Sequence, residues 1–86
     1  MDVDGKVIVI PGATSGLGKN AALRFAAAGA RVVFGGRRES EGVAITEEIA
    51  AQGGSSLFVR CDVSLSADVA ALVGRAVSEY GHLDMA

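Results

Sequence analysis

Three short runs of apolar residues recur along this chain at intervals of about 25 residues. None of them alternates with polar residues, so both faces of each strand are expected to be buried, which is typical of a parallel sheet covered by helices. The pattern therefore predicts three strands of one parallel sheet. The runs are Val7-Ile8-Val9-Ile10, Val32-Val33-Phe34 and Leu57-Phe58-Val59.

The segment between the first two runs predicts an amphipathic helix. Leu17, Ala21, Phe25 and Ala28 are spaced i, i+4, i+8 and i+11, which places them on one helical face. Gly29 follows this stripe and is the expected C-cap, because glycine adopts the left-handed conformation that ends many helices. The stripe is the face expected to pack on the core.

Two further helices follow from the same kind of spacing. Ser40 is the expected cap of the second helix, which ends in the Gly53-Gly54 turn. The third helix begins at Ser66, with an acidic residue in its first turn, and stops at Gly81. The acidic residue in the first turn of the third helix is Asp68. The apolar stripe of the second helix includes Ile45 and Ile49, and that of the third consists of Val69, Leu72, Val73, Ala76, Val77 and Tyr80.

Strand and helix therefore alternate in the order βαβαβα. This order predicts the α/β class, with a Rossmann-like three-layer αβα architecture, right-handed crossovers and a doubly wound parallel sheet of which only the first half is present. The last residues, Leu83-Asp84-Met85-Ala86, resemble the start of a fourth strand. We therefore expect residues 1–86 to be a partial domain that lacks its C-terminal half.

The loop between the first strand and the first helix carries glycines with the spacing G-x-x-x-G-x-G. A phosphate can sit at a helix amino terminus only where backbone N–H groups point at it and no Cβ blocks its approach. Gly12 is expected to make the tight turn, Gly16 the close approach, and Gly18 the close packing of helix on strand. Thr14 and Ser15 can add hydroxyl donors. The alternative is a tight turn that binds no ligand.

A second kind of phosphate loop can be tested on the same residues. Gly18-Lys19 resembles the end of the NTPase motif G-x-x-x-x-G-K-[ST], which requires glycine at position 13 and serine or threonine at position 20. The chain has Ala13 and Asn20 instead, so the motif fails at two anchors. Lys19 is better interpreted as a solvated helix residue.

The end of the second strand indicates which nucleotide is bound. In a dinucleotide fold, a carboxylate about 20 residues past the glycines binds the ribose 2′-hydroxyl, whereas an arginine accommodates a 2′-phosphate. No carboxylate stands at this strand end, and Gly36 is followed by Arg37 and Arg38. NADP(H) is therefore favoured and NAD(H) stays open. The alternative is that both arginines are solvated charges that balance Glu39 and Glu41.

Composition excludes several partners. Eight Lys and Arg stand against ten Asp and Glu, a net charge of −2 that offers no basic footprint for nucleic acid or an anionic membrane. No apolar run approaches the roughly 18 residues of a membrane span. The amino terminus carries acidic residues where a signal peptide would carry positive charge. Cys61, the single cysteine, is expected to be a buried small hydrophobe, and no metal site is predicted. These features favour a cytoplasmic protein.

Five segments spread over essentially the whole chain form a specific combination. They are Asp4-Gly5-Lys6-Val7, the glycine loop, Gly36-Arg37-Arg38, Cys61-Asp62-Val63-Ser64 and Tyr80-Gly81-His82-Leu83-Asp84. Together they resemble the short-chain dehydrogenase/reductase family. The resemblance implies that Asp62 hydrogen-bonds the adenine amino group and that Val63 packs against the adenine ring. From the residues alone, a role for Asp62 as a strand-end turn residue or helix cap ranks equal to adenine binding.

The resemblance implies a parent enzyme, a homo-oligomer, that transfers a hydride between NADP(H) and a carbonyl or alcohol substrate. Family members carry an Asn-Asn-Ala-Gly segment, a catalytic serine and a Tyr-x-x-x-Lys pair, and none of these is in this chain. Its one tyrosine, Tyr80, is followed four residues later by Asp84. No catalytic residue is predicted, and the chain alone is expected to be inactive. The alternative is a free-standing, non-catalytic nucleotide-binding or interaction module.

One departure falls inside the glycine loop. The family usually has threonine before the first glycine, and this chain has Pro11, which lacks a hydroxyl and a backbone N–H. An altered loop geometry and a weaker cofactor affinity are therefore expected. The expected cofactor-binding residues are Gly12, Thr14, Ser15, Gly16, Leu17, Gly18, Arg37, Arg38, Asp62 and Val63.

Overall fold

The computed structural model describes residues 3–12 and 16–84. Its elements confirm the predicted order, and the three strands contain the three apolar runs. Thr14, Ser15 and residues 85–86, which carry parts of the predicted site and fourth strand, lie outside the described residues. The elements are β1 (Val7–Ile10), α1 (Gly16–Ala27), β2 (Arg31–Gly36), α2 (Glu39–Ala51), β3 (Ser55–Arg60) and α3 (Ser66–Tyr80).

The strands form a parallel sheet in the order β1-β2-β3. Ile10, the last residue of β1, is in register with Phe34, so β2 continues two residues beyond it. Gly36 at the end of β2 is in register with Arg60 at the end of β3. The loop that follows β1 therefore begins beside the last two residues of β2.

Helices cover both faces of the sheet, which confirms the three-layer architecture. Neighbouring strand residues point to opposite faces, and because each face is covered by helix, the runs need no polar alternation. On the side of α1 and α2 the fully buried apolar residues include Ile8, Val32, Phe34, Ile45 and Ile49. On the side of α3 they are Val7, Val9, Val33, Cys61, Leu72 and Ala76.

The stripe predicted for the first helix is not the buried face of α1. Ala22 and Ala26 are the buried residues of this helix, whereas Leu17 is 88% exposed. Ala28 lies beyond the end of α1 and is also exposed. The physical reason is size: methyl side chains let the helix backbone approach the strands closely, so the larger Leu23 and Phe25 are only partly buried against the core.

The predicted ends of the helices are partly correct. Gly29 has φ of +96°, and the bond from Ala30 N to the Phe25 carbonyl closes a Schellman-type end, as expected for α1. Helix α3 starts at Ser66 and stops at Gly81, whose φ is +82°.

Ser40 does not cap α2. The N-cap is Arg38, in an extended conformation and without a side-chain cap bond, and Ser40 lies inside the helix. Acidic Glu39 and Glu41 occupy the first turn, where negative charge interacts favourably with the free N–H groups of a helix start.

The free edge of β1 is met by the segment after α3. Asp84 N donates to the Val7 carbonyl at 3.0 Å, and Val7 N donates to Asp84 Oδ2 at 2.8 Å. His82 Nε2 lies 2.9 Å from the same Oδ2. Residues 83–84 run beside β1 without strand structure, so the described part of the predicted fourth strand is not formed. No helix in residues 3–12 and 16–84 has both the length and the apolar character to cross a bilayer.

Candidate functional site

Three strand-to-helix connections meet at the carboxyl edge of the sheet. Because all strands are parallel, the residues that follow β1, β2 and β3 emerge on the same side, which is where open α/β sheets bind ligands. The structure thus places Gly12, Arg37 and Asp62, which are far apart in the sequence, around one edge. Gly36 O accepts a hydrogen bond from Cys61 N at 2.9 Å, and this bond links the second connection to the third.

The amino terminus of α1 is bordered by two glycines. Gly16, the first residue of the helix, has φ of +55°, a left-handed conformation that favours glycine. A Cβ added at Gly12 or Gly16 would meet no atom within 4 Å, and the first turn of α1 contains no acidic residue. The first N–H groups of a helix have no intrahelical acceptor. This end of α1 therefore fits an anionic group such as a phosphate.

Gly35 is a site residue whose role the sequence interpretation missed. It is buried in β2, and a Cβ added there would lie 2.9 Å from the Pro11 carbonyl oxygen and 2.8 Å from Cys61 Cβ. Only glycine lets the ends of β1 and β3 pack this closely against β2. The signal available in the sequence was a glycine inside an apolar strand, which often marks a close backbone approach.

The two arginines after β2 have different environments. Arg38 Nη1 lies 3.0 Å from Glu41 Oε1, and the Arg38 side chain is 76% exposed. Arg38 thus pairs with a nearby acid in this chain, and its predicted contact with the cofactor stays a prediction. Arg37 is exposed, and among the described residues it has no hydrogen bond or ion pair of this kind. Arg37 is thus the arginine whose guanidinium is available at the edge.

Asp62 forms a turn and keeps one carboxylate oxygen available. Its Oδ1 accepts hydrogen bonds from Ser64 Oγ at 2.7 Å and from Ser64 N at 3.0 Å. These bonds, and more weakly the charges of Arg37 and Arg60, hold the pKa of the Asp62 carboxyl below its usual range. The predicted turn role is confirmed. Within the described chain Oδ2 accepts no hydrogen bond, so this oxygen remains available as an acceptor.

Asp68 anchors this turn from α3. Its Oδ2 accepts a hydrogen bond from Asp62 N at 3.0 Å, an interaction that the sequence interpretation, which assigned Asp68 only to the first turn of α3, did not predict. Beside the turn, Val63 is 58% exposed and Leu65 is 52% exposed. The turn therefore presents an apolar surface next to the free carboxylate oxygen.

Cys61 lies beneath the edge and is buried, as predicted. Burial, and then the negative charges of Asp68 and Asp62, raise the pKa of its thiol above the usual range. A thiol that stays protonated is a poor nucleophile. Cys61 therefore contributes packing to the edge, against Gly35 and Leu72.

Comparison with known proteins identifies the family to which this chain belongs. A model of the short chain dehydrogenase family matches residues 6–86, and the chain belongs to this family. It is 42% identical over 83 residues to a 3beta-hydroxysteroid dehydrogenase of Mediterraneibacter gnavus, a match that covers 96% of this chain and 30% of that protein. The chain spans about a third of the length of the curated relatives it matches.

Solved structures agree with this assignment. A short chain dehydrogenase/reductase of Burkholderia phymatum in complex with NAD superposes with a TM-score of 0.92 at 34% identity, covering 99% of this chain and 31% of that one. A metagenomic short-chain oxidoreductase in complex with NADP gives 0.88 at 32% identity, covering 99% and 39%. The Rossmann-like fold predicted from the sequence is confirmed.

Proposed function

We propose that this chain is the nucleotide-binding, amino-terminal part of an NADP(H)-dependent short-chain oxidoreductase. The observation that carries the proposal is the meeting of the open α1 terminus, Arg37 and the Asp62 turn at one edge of the sheet. Family membership and the similarity to proteins solved with NAD and with NADP support a nicotinamide dinucleotide as the ligand.

Each part of the edge has chemistry that suits one part of such a cofactor. The α1 terminus offers backbone N–H donors for the pyrophosphate, with Gly12 and Gly16 leaving room for its approach. Arg37 offers a guanidinium fork for a 2′-phosphate, which favours NADP(H) over NAD(H). Asp62 offers an acceptor for the adenine amino group, and Val63 an apolar surface for the ring. The contributions of Thr14, Ser15, Leu17 and Gly18 belong to the same proposal.

The bound nicotinamide would supply the hydride chemistry, and the residues of this chain would hold and orient it. The one tyrosine, Tyr80, is the last residue of α3. Its hydroxyl lies 3.3 Å from Ser55 Oγ, and its ring lies 5.5 Å from the Arg31 guanidinium carbon. Ser55 and Arg31 begin their strands, so Tyr80 lies at the opposite, amino edge of the sheet. We therefore propose that the chain binds cofactor and is inactive alone, and that the parent enzyme acts on a carbonyl or alcohol.

Three expectations for the protein stay predictions. They are the cytoplasmic location, the homo-oligomeric parent and the assignment of residues 1–86 to a partial domain. The alternative of a non-catalytic binding module shares the same proposed ligand site at the carboxyl edge of the sheet. Nucleotide binding by the 86-residue chain is therefore the property to measure first.

Calorimetric titration of the chain with NADPH, NADH and ATP tests the proposal. NADPH is expected to bind most tightly and ATP most weakly. Arg37→Ala should weaken NADPH binding by about tenfold or more, the effect of losing hydrogen bonds to a charged group, and should change NADH binding less than twofold. Arg75→Ala, an exposed arginine paired with Glu79 on α3, is the matched control and should change neither. Tightest binding of ATP, or equal losses of NADPH and NADH in Arg37→Ala, would contradict the proposal.

A further inference from the structure

The two neighbouring arginines after β2 are oriented by different elements. Arg38 is the N-cap of α2, and its guanidinium pairs with Glu41 one turn into the helix, Nη1 to Oε1 at 3.0 Å. This contact directs the Arg38 side chain along α2. The chain therefore presents two adjacent cations of which one already has a carboxylate partner.

Arg37 lies directly after β2 and outside α2. It follows Gly36, whose carbonyl accepts a hydrogen bond from Cys61 N, the residue before Asp62. After the Ser64 bonds, the charge of Arg37 is one of the causes that lower the pKa of the Asp62 carboxyl, so the two side chains lie within electrostatic reach of each other. Arg37 thus stands closer than Arg38 to the residues proposed to bind adenosine.

Glu41 has a double effect on an incoming phosphate. Its carboxylate neutralises Arg38, and it carries a negative charge that repels a phosphate dianion placed beside the arginines. Glu39, in the same turn of α2, supplies a similar charge and has no ion pair with a described residue. Comparing the two glutamates separates the effect of freeing Arg38 from the effect of removing a charge.

We infer that Glu41 is a specificity-determining residue of the cofactor site: by pairing with Arg38 it leaves Arg37 as the arginine that meets a 2′-phosphate, and it limits the preference for 2′-phosphorylated nucleotides. This inference rests on the proposed function. An exposed ion pair of this kind changes an equilibrium by no more than about fivefold. Freeing Arg38 is therefore expected to strengthen binding of a 2′-phosphate about two- to fivefold.

The experiment is calorimetric titration with adenosine 2′,5′-bisphosphate and with adenosine 5′-monophosphate, which differ only in the 2′-phosphate. Glu41→Gln should bind the bisphosphate two- to fivefold more tightly than the wild-type chain and the monophosphate equally well. Glu39→Gln, the matched control, removes the same charge from the same turn and should gain less than half as much.

A double-mutant cycle identifies the arginine responsible. In the wild-type chain, Arg38→Ala should weaken bisphosphate binding less than twofold and Arg37→Ala about tenfold or more. In the Glu41→Gln background, Arg38→Ala should remove the part of the gain that exceeds the gain of Glu39→Gln, and Arg37→Ala should cost as much as before.

Two outcomes would overturn the inference and are distinguishable from each other. If both ligands bind but Glu41→Gln and Glu39→Gln behave alike, or Arg38→Ala costs as much as Arg37→Ala in the wild-type chain, Glu41 does not set the specificity and the proposed function stands. If the wild-type chain binds neither ligand, the proposed function fails and the inference fails with it.

Discussion

Helices α1 and α3 present different kinds of face to the sheet. Helix α3 packs its larger side chains inward, with Leu72 and Ala76 buried and Val73 partly buried. Helix α1 buries only two alanines, Ala22 and Ala26, has Leu23 and Phe25 partly buried beside them, and keeps a second apolar face outside. That outer face forms an open groove lined by Ala21, Arg24, Phe25 and Ala28, with Leu17 exposed near one end.

An apolar stripe on a helix therefore predicts that this face is covered, but it does not identify the element that covers it. A helix that is apolar on one side packs on one layer, and a helix that is apolar on two sides is typical of a position between two layers. The described residues cover only the inner face of α1. Stability should therefore depend on the inner face of α3 and be insensitive to the outer face of α1.

The largest effect is expected from Leu72→Ala in α3. Leu72 is fully buried against the sheet, so truncation removes a buried side chain and leaves a cavity. The free energy of unfolding should fall by about 2–5 kcal/mol. Urea denaturation followed by circular dichroism measures it. A loss below about 1 kcal/mol would show that α3 does not depend on this contact.

Two helical glycines extend the comparison to α2. Gly42 is buried, and a Cβ added there would overlap the Phe58 ring, so Gly42→Ala should destabilise by about 1–3 kcal/mol. Gly74 lies on the exposed side of α3, and a Cβ there would meet nothing within 4 Å. Gly74→Ala is the matched variant and should stabilise by roughly 0.5–1 kcal/mol, because alanine is the better helix former. Thermal unfolding of both variants measures the contrast, and the same sign of change in both would contradict it.

A smaller effect is expected where the segment after α3 meets β1. The Val7 N–H, and then the charge of His82, hold the pKa of the Asp84 carboxyl below its usual range. An acid with a lowered folded pKa stabilises the fold above its unfolded value of about 3.9, and this contribution is lost as the pH falls through the folded pKa. Below about pH 4 the wild-type chain should therefore lose stability more steeply than Asp84→Asn. Denaturation midpoints between pH 3 and pH 6 decide the matter, and parallel curves would rule the contact out as a source of stability.

The smallest effect is expected from Leu17→Ala, the same substitution as in Leu72→Ala but on the outer side of α1. With 88% of Leu17 exposed, the free energy of unfolding of the nucleotide-free chain should change by no more than about 0.5 kcal/mol. A loss comparable to that of Leu72→Ala would mean that the outer face of α1 is covered, and the contrast between the helices would disappear.

Features set by local residue patterns were predictable. The three apolar runs predicted the strands, because burial on both faces removes polar alternation, and Gly29 and Gly81 predicted two helix ends through their left-handed conformation. The inner face of α1 was not predictable from the larger residues, because close packing favoured alanine. Ser40 was misassigned as the cap because α2 begins earlier than expected. Only Arg37 and Arg38 separate the end of β2 from Glu39, the first residue of the helix.

The candidate site divides in the same way. Gly12, Gly16 and Arg37 were predicted from their positions after strands, Asp62 was predicted from the family resemblance, and the parallel sheet brings the three connections together. Pairings that depend on three-dimensional proximity were missed: Gly35 with the Pro11 carbonyl, Asp68 with Asp62 N, and His82 with Asp84. The choice of Arg38 rather than Arg37 as the partner of Glu41 also depends on side-chain geometry that a sequence pattern does not contain.

The central claim is that the carboxyl edge of the sheet binds a nicotinamide dinucleotide. Amide chemical shifts of the ¹⁵N-labelled chain, followed by NMR during titration with NADPH, test it most directly. Saturable changes are expected to be concentrated at Gly16, Gly35, Arg37, Asp62 and Val63. Changes concentrated at the amino edge around Ser55 and Tyr80, or along the outer groove of α1, would contradict the claim.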